Sequence, residues 1–462
     1  MEKFSYFRKD TIAAISTPRG EGGIAIVRMS GSNSFSILKR IFVTKSKNLK
    51  PGYSTHGRIV EPSTGETIDE VIVHFYKSPN SYTTEDVAEI NCHGGIYVST
   101  RILHLLLKEG ARLSNPGEFT FRAFINSRID LAQAEAVADL IRARTKATLK
   151  VSMEHLEGEL SRKIKGIKDK IVHTTSILEM ELDFLEDEID FTPENQLIKN
   201  LSKTLDEIEN LLDTYEFGKI CREGALVAIV GPPNSGKSSL LNTLLKEERA
   251  IVTDIPGTTR DTIEESIEIN GVWYRLVDTA GIRQTRDLVE KMGLQRTERY
   301  MEKADLIILI IDCSKDPSNE EYEFLKRVGE KNFLIALNKI DLCRGEISKE
   351  IYSLTEDKNF VRISALKRWG IKELADMIFE KTVGSMTINH DSLVITKLRH
   401  REALENARKS LKRAIKSLSE KVPSEYVTVD LRESLNFLGE IIGEVTTEDI
   451  LNNIFSRFCI GK

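Results

Sequence analysis

Tryptophan, cysteine and proline are scarce: two, five and eleven in 462 residues. The cysteines (Cys92, Cys221, Cys313, Cys343 and Cys459) are odd in number, scattered, and include no C-x-x-C pair. That argues against a disulfide framework or a zinc site and for a reducing compartment. The eight histidines show no metal-ligand spacing. Long hydrophobic runs are missing too. The apolar run 306–311 suits a buried strand and is far too short to cross a bilayer. Residues 1–10 lack a signal-peptide pattern, so a cytoplasmic protein without membrane association is expected. Excess charge of one sign is also absent: 66 basic against 71 acidic residues give a net charge of −5. Blanket attraction to nucleic acid is therefore not expected, and any RNA contact needs a local patch. With 40% hydrophobic and 30% charged residues, the chain reads as globular, and its length predicts two or three domains.

The pattern changes along the chain. Residues 1–122 read as mixed α/β, with strand-like runs at 23–28 and 70–76, a helical stretch at 99–108, and glycine clusters at 20–23 and 94–95. From 123 to 220 apolar residues recur at three- and four-residue spacing, as in Leu131, Ala134, Ala138 and Ile141, which predicts helices. Residues 221–383 alternate strand and helix: 226–230, 238–245, 273–277, 306–311 and 333–337. That order predicts a doubly wound, mainly parallel sheet. Helical periodicity returns in 391–455, so the α/β block reads as an insertion within one helical domain.

Within this block the residues that carry chemistry fall in a fixed order. Gly231-Pro-Pro-Asn-Ser-Gly-Lys237-Ser238 follows an apolar strand and opens a helix, the context a P-loop requires. Backbone N–H groups over Asn234, Ser235, Gly236, Lys237, Ser238 and Ser239 can surround phosphates. Lys237 would meet the β/γ-phosphates and Ser238 would hold Mg²⁺. Asn338-Lys339-Ile340-Asp341 adds base preference. A carboxylate at Asp341 accepts both the N1–H and the 2-amino group of guanine, and adenine offers no such donor pair. Ser364, Ala365 and Leu366 fall where the guanine oxygen would be met, and Asp278-Thr279-Ala280-Gly281 ends a strand. Asp278 would reach Mg²⁺ through water, and the Gly281 N–H would sense the γ-phosphate. A lone N-K-x-D is weak, but the whole set in register predicts a GTP site. The position after Gly281 is Ile282, which cannot orient water as a glutamine there would, so hydrolysis needs a separate cation and a separate water-holding residue.

Gly257-Thr-Thr-Arg-Asp261, Asp278-Thr-Ala-Gly-Ile-Arg283 and Asn234 resemble the switch regions and P-loop of the MnmE (TrmE) family of tRNA wobble-uridine modification GTPases. The resemblance extends to Asp10–Arg28, to Tyr82-Thr-Thr-Glu-Asp86, Asn91-Cys-His-Gly-Gly95 and Asn115-Pro-Gly-Glu-Phe-Thr-Phe-Arg-Ala-Phe124, to 130–141, and to the closing Phe458-Cys-Ile-Gly-Lys462. It implies a K⁺ ion in the role of an arginine finger, held by Asn234 with oxygens from Thr253, Ile255 and Thr258. Asp254, Pro256 and Gly257 complete that loop, and Thr259 would be a Mg²⁺ ligand. Glu290, in Val289-Glu-Lys-Met-Gly293, is the implied water-orienting residue; by itself it reads as a solvated helix carboxylate.

The implied architecture is multidomain, α/β plus all-α. It has an N-terminal folate-binding and dimerisation domain (1–122), a Ras-like P-loop GTPase domain (221–383) and a helical domain (123–220 and 384–462) into which the GTPase domain is inserted. A tetrahydrofolate derivative, in its 5,10-methylene or 5-formyl form, would be the one-carbon donor, touched by Arg28, Glu85, Arg128 and Lys462. A pterin's adjacent N–H donors suit a carboxylate, and the folate tail's carboxylates suit Arg or Lys. Without the family each reads more simply as a surface charge or an ion pair. Cys459 is either a plain terminal thiol or a catalytic group near the transfer, which would need a lowered pKa. The sequence departs from the family pattern at Pro232, at Arg128 in place of a lysine, and at Thr84 in place of a common glycine before Glu85. Implied partners are a second copy of the chain, tRNA, and the flavoprotein MnmG with FAD and NADH in a heterotetramer or larger complex.

Three further features carry bland alternatives. The basic stretch 397–416 could track tRNA phosphates or be a solvated helix face. The acidic stretch 181–194 reads better as a surface than as a metal site. Trp273 and Trp369 read as packing residues. The rival function is a regulatory RNA- or ribosome-binding GTPase switch without modification chemistry. Such a switch would need neither a folate site nor a terminal Cys-Ile-Gly-Lys.

Overall fold

The computed structural model describes residues 10–18, 20–45, 49–183, 192–247, 249–250, 264–278, 298–328, 331–343, 350–351, 355, 360–384 and 393–462. They divide into two compact units. One comprises Met1–Ala138, His155–Lys168 and Arg432–Lys462; the other comprises Asp139–Glu154 and Asp169–Leu431.

In the first unit the strands are β1 (Ile12–Ile15), β2 (Gly22–Ser30), β3 (Phe42–Val43), β4 (Ser54–Val60), β5 (Thr67–Tyr76), β6 (Val87–Gly94) and β7 (Arg112–Leu113). They form one sheet in the order β3-β4-β5-β6-β2-β1-β7, antiparallel except for the β1–β7 pair. Period-two alternation sends Ala25, Val27 and Met29 of β2 into a core with Ile37, Leu38 and Ile41 of helix α1 (Ser34–Ile41) and Ile102 and Leu106 of helix α2 (Ile96–Lys108). On β1, Ala13 faces that core, whereas Ile12 and Ala14 face the other side and pack with Phe119 of helix α3 (Glu118–Ile125). Arg28 and Ser30 alternate with the core residues of β2, which fixes the face on which a polar site can form. A third cluster joins Phe121, Leu131, Leu451, Phe455 and Phe458, so the segment after Arg432 packs on α3 and helix α4 (Leu131–Arg142).

In the second unit, β8 (Ala225–Val230), β9 (Arg249–Ala250), β10 (Glu264–Ile269), β11 (Val272–Asp278), β12 (Leu306–Asp312), β13 (Phe333–Asn338) and β14 (Phe360–Arg362) form a sheet in the order β14-β13-β12-β8-β11-β10-β9. The strands from β14 to β11 are parallel, as the alternation predicts, and β10 and β9 extend the sheet antiparallel. β12 is apolar from Leu306 to Ile311 because both its faces are covered. Ile308 and Ile310 enter one core, and Ile307, Leu309 and Ile311 the other.

The chain enters and leaves this α/β block at one place. Thr214 Oγ1 accepts from the Ile395 N–H at 3.1 Å, and Arg222 Nη1 donates to Thr396 O at 3.3 Å. The block is therefore an insertion between helical segments, as the return of helical periodicity implied. Helix Glu194–Asp213 buries Leu197, Leu201, Ile208 and Leu211, and helix Leu398–Ser419 buries Ala403, Leu404, Ala407, Leu411 and Leu418.

The basic stretch on helix Leu398–Ser419 is largely neutralised. Lys397 pairs with Asp139, Arg401 with Glu405 and Glu216, Lys412 with Glu209, and Arg413 with Asp430. That favours the helix-face reading over a phosphate track. Trp273 fits a packing role, with the Arg144 guanidinium carbon 4.2 Å from its ring centroid. The reading of Trp369 as a packing residue needs correction: its backbone is pinned to Ser364 but the residue is 54% exposed. Residues 184–191 of the acidic stretch lie outside the described residues. No group of three or more potential metal ligands occurs among the described ones.

Candidate functional site

The P-loop leaves β8 and opens the helix Lys237–Glu247, so the helix N-terminus points its N–H groups at the loop. Asn234 takes φ 62° and Gly236 φ 102°. At Gly236 a Cβ would stand 2.1 Å from Asn338 Nδ2, so only glycine fits. Lys237 is 5% exposed, and its ammonium donates to Gly231 O at 2.7 Å and Pro232 O at 2.5 Å. These are bonds that phosphate oxygens could replace. Ser238 Oγ donates to Asp278 Oδ2 at 2.7 Å, which joins the start of helix Lys237–Glu247 to the end of β11. Ser239 is exposed beside it. Ser235 Oγ is buried with no partner among the described residues.

Asn338 ties three loops together. Its Nδ2 donates to Ser235 O at 2.8 Å, and its Oδ1 accepts from the Ala365 N–H at 3.0 Å. Ser364 Oγ donates to Asp341 Oδ1 at 2.6 Å and so aims the carboxylate that would read guanine. Lys339 sits in a left-handed backbone conformation, φ 65°, and its Nζ meets Asp312 Oδ2 at 2.6 Å. Burial raises the Asp312 carboxyl, but the Lys339 ammonium and Ser314 outweigh it and hold it below its ordinary value. Sequence reasoning passed over Asp312. The signal was available, since it ends an apolar strand directly before the site. Leu366 is exposed at the rim. Thr253, Asp254, Ile255, Pro256, Gly257, Thr258, Thr259, Thr279, Ala280, Gly281 and Glu290 lie outside the described residues.

The first unit holds a second polar cluster. Two guanidinium groups stand over the Tyr82 ring, Arg28 at 5.7 Å and Arg128 at 5.0 Å from its centroid. Arg28 also stands 5.7 Å from the Phe119 ring and pairs with Glu89 at 2.7 Å. Residues 459–462 close the cluster. Gly461 O accepts from Ser16 Oγ at 3.1 Å and Arg28 Nη1 at 3.4 Å, and Lys462 O accepts from the Phe119 N–H at 3.2 Å. Gly461 takes φ 90°, and a Cβ there would stand 2.6 Å from Ile15 O, so this turn admits only glycine. Burial, and then the positive charge of Arg28, lower the Lys462 ammonium below its ordinary value. Cys459 is exposed.

Glu85 takes a neighbouring position. It accepts from Ser30 Oγ at 2.6 Å and from Arg122 Nη1 at 3.1 Å, and it lines a cavity of about 470 Å³ with Asp10, Thr84, Asp86 and Asn126. Arg28 and Arg128 are thus brought together at Tyr82, Lys462 stands in the field of Arg28, and the segment from Tyr82 to Glu85 connects them to the fourth predicted residue. Thr84 adopts φ 61°, which accounts for a glycine being common there: a β-branched residue is strained in that region. Tyr82, Phe119 and Arg122 were missed as site residues, although each stands inside a motif already singled out.

The sheet order, the glycine-rich loop after β8, the aspartate ending β11 and the Asn-Lys-x-Asp turn ending β13 define a P-loop GTPase. Family models described as MnmE helical domain and GTP-binding protein TrmE N-terminus match residues 131–459 and 11–128. Proteins named tRNA modification GTPase MnmE are 46% identical over 460 residues in Carboxydothermus hydrogenoformans and 45% identical over 460 residues in Alkaliphilus metalliredigens, covering 98% and 99% of this chain and 100% of each relative. The chain belongs to the MnmE family. A relative of the same name in Thermoanaerobacter pseudethanolicus is 46% identical and covers 98% of this chain and 99% of its own length.

Proposed function

We propose that this chain is the GTP-hydrolysing component of a system that modifies C5 of the wobble uridine, position 34, in tRNA. The group added would be aminomethyl or carboxymethylaminomethyl, with a tetrahydrofolate derivative supplying the carbon. The observation that carries the nucleotide half is the convergence on Asn338 of the phosphate loop, the base-reading turn and the Ser364–Ala365 loop.

The residues fit the groups they would hold. Ser238 and Asp278 offer hard oxygen ligands for Mg²⁺, which when bound offsets charge between the β- and γ-phosphates. The N–H groups of the P-loop cradle the phosphates, Lys237 turns from Gly231 O and Pro232 O to the β/γ-phosphates, and Asp341 accepts the two guanine donors. The Asn234 side chain is exposed at the loop, where a K⁺ ligand would stand. Thr253, Ile255, Thr258 and Thr259 would complete the cation sites, and Glu290 would orient water.

The cluster around Tyr82 supports the one-carbon half. Arg28 and Arg128 present cations suited to a ligand carboxylate next to the rings of Tyr82 and Phe119, and Lys462 adds a third in the field of Arg28. The seating of residues 459–462 beside them favours an enzyme over a bare regulatory switch, with Cys459 as the candidate catalytic thiol. We assign residues 1–122 to folate binding and dimerisation, 221–383 to the GTPase domain, and 123–220 with 384–462 to the helical domain. The partners are a second copy, MnmG with FAD and NADH, and tRNA, in the cytoplasm.

The test is GTP turnover by the purified protein in matched KCl and NaCl, for the wild type, Asn234→Ala and Glu290→Ala, together with a nucleoside digest of tRNA from cells lacking the chain. Turnover that needs K⁺ and falls in both variants, with loss of the modified uridine, is expected. Equal turnover in both salts would remove the K⁺ role. Persistence of the modified uridine after deletion would remove the modification role.

A further inference from the structure

Cys313 and Cys343, thirty positions apart in sequence, bring their sulfur atoms to 3.4 Å. Cys313 follows the end of β12 and is buried; Cys343 closes the short turn Ile340–Leu342 and is partly exposed. Both touch the segment that reads guanine. Cys313 Sγ donates to Asn338 O at 2.8 Å, and Cys343 Sγ approaches Cys313 O at 3.1 Å and Lys339 O at 3.8 Å. Among the described residues the other thiols, Cys92, Cys221 and Cys459, show no such pairing.

We propose that Cys313 and Cys343 form a dithiol modification site, closed to a disulfide by a low-molecular-weight disulfide such as oxidised glutathione, and that closing it weakens guanine-nucleotide binding; the second half rests on the nucleotide site described above. The Cys343 sulfur, the more accessible of the two, attacks as thiolate. It forms a bond to one glutathione sulfur, the glutathione S–S bond breaks, and the leaving thiolate takes up a proton equivalent to the one Cys343 lost. The Cys313 sulfur then attacks Cys343 Sγ, surrendering its proton to the second departing glutathione thiolate. The two cysteines lose two electrons and two protons, and the glutathione disulfide gains both. Burial and the adjacent Cys343 thiol push the Cys313 thiol up, so the second step is the slow one.

Closure has a mechanical consequence. A disulfide needs its sulfurs at about 2.05 Å, so the pair must approach by more than 1 Å. Cys313 is fixed by its N–H bond to Asn338 O at 3.0 Å and by packing among Ile311, Val328 and Leu337. The displacement therefore falls on the turn from Lys339 to Cys343, which contains Asp341. The new bond also consumes the S–H that Cys313 gives to Asn338 O, loosening the residue that joins the loops. Formed in a reducing compartment, such a bond is transient and responsive rather than structural.

The test uses the full-length protein with oxidised glutathione, read by peptide mass mapping and by titration with a fluorescent GDP analogue. A linked peptide carrying Cys313 and Cys343, two hydrogens lighter than the pair, is expected. Affinity should fall about tenfold, return with dithiothreitol, and stay constant in Cys343→Ser and Cys343→Ala. GDP should lower the equilibrium fraction of linked protein at a fixed ratio of oxidised to reduced glutathione, because the coupling is reciprocal. Absence of that peptide, a link through Cys459 instead, or an oxidised protein that binds the analogue as before would overturn the proposal. Reduced protein that binds no nucleotide sinks the site reading and the second half with it, while the peptide map still decides the first.

Discussion

Asn338 Nδ2 donates to Ser235 O across 2.8 Å, so a residue of the base-reading turn holds the phosphate loop in shape. The same side chain accepts from the Ala365 N–H. Asn338 is 2% exposed, and truncation leaves both backbone groups without their partner in a dry place. Asn338→Ala should cost about 1–3 kcal/mol of stability and weaken GTP and GDP together. Thermal unfolding with and without GDP checks it; a variant with wild-type affinity would show that the loops hold themselves.

Asp341 is aimed by the Ser364 hydroxyl. Asp341→Asn replaces an acceptor by an amide that must present one donor and one acceptor. Guanine then meets a mismatched pair, and xanthine, with an oxygen in place of the 2-amino group, meets a matched one. Affinity for GTP should fall by about 100-fold or more, with xanthosine triphosphate gaining over it. Competition between the two nucleotides for the fluorescent GDP analogue reads the preference directly.

Acid should loosen the first unit through Asp10. Burial raises its carboxyl, but the bonds from Arg112 and Arg122 outweigh that and lower it below 3.8. Its contribution is therefore fully present above about pH 4 and is lost as pH falls through that value toward the lower folded one. In urea titrations the stability gap between wild type and Asp10→Asn should shrink as pH drops from 6 to 3. A gap that stayed constant would mean that the ion pairs do not depend on this charge.

Lys462 is depressed first by burial and next by Arg28. Arg28→Gln removes the like charge and frees Glu89, and both changes favour the charged amine. Titration of the lysine side chain by nitrogen NMR should show its pKa rise toward 10.5 in the variant. An unmoved titration would place Lys462 outside the field of Arg28 and weaken the case for a shared anion site.

What the sequence made legible follows from how local each feature is. The P-loop and the Asn-Lys-x-Asp turn are contiguous, each after an apolar strand, so spacing alone located them. Asn338 as the joint between loops was not legible, because its partners Ser235 and Ala365 are 103 and 27 positions away. Residue type misled at the cysteines, which look scattered but include two in contact. For the basic stretch it left a phosphate track and a helix face open, and the pairs with Asp139, Glu209, Glu216 and Asp430, distant in sequence, favour the helix face. The residues proposed for the one-carbon site came from resemblance and not from pattern. Nothing in the spacing of Arg28 and Arg128 marks them as neighbours of Tyr82.

Ser16 and Gly461 bond across 445 positions, and the first unit is assembled from three stretches separated by the whole of the second. Closing a loop of that length is entropically costly and slow relative to local helix formation. The sheet from β1 to β7 can pair early from contiguous chain, but the turn at Gly461 can seat on Ile15 and Ser16 only after residues 169–431 have been made and threaded past. The cluster around Tyr82 is therefore among the last parts of the molecule to mature, and chains interrupted anywhere in the second unit would carry an N-terminal sheet with its polar corner unfinished.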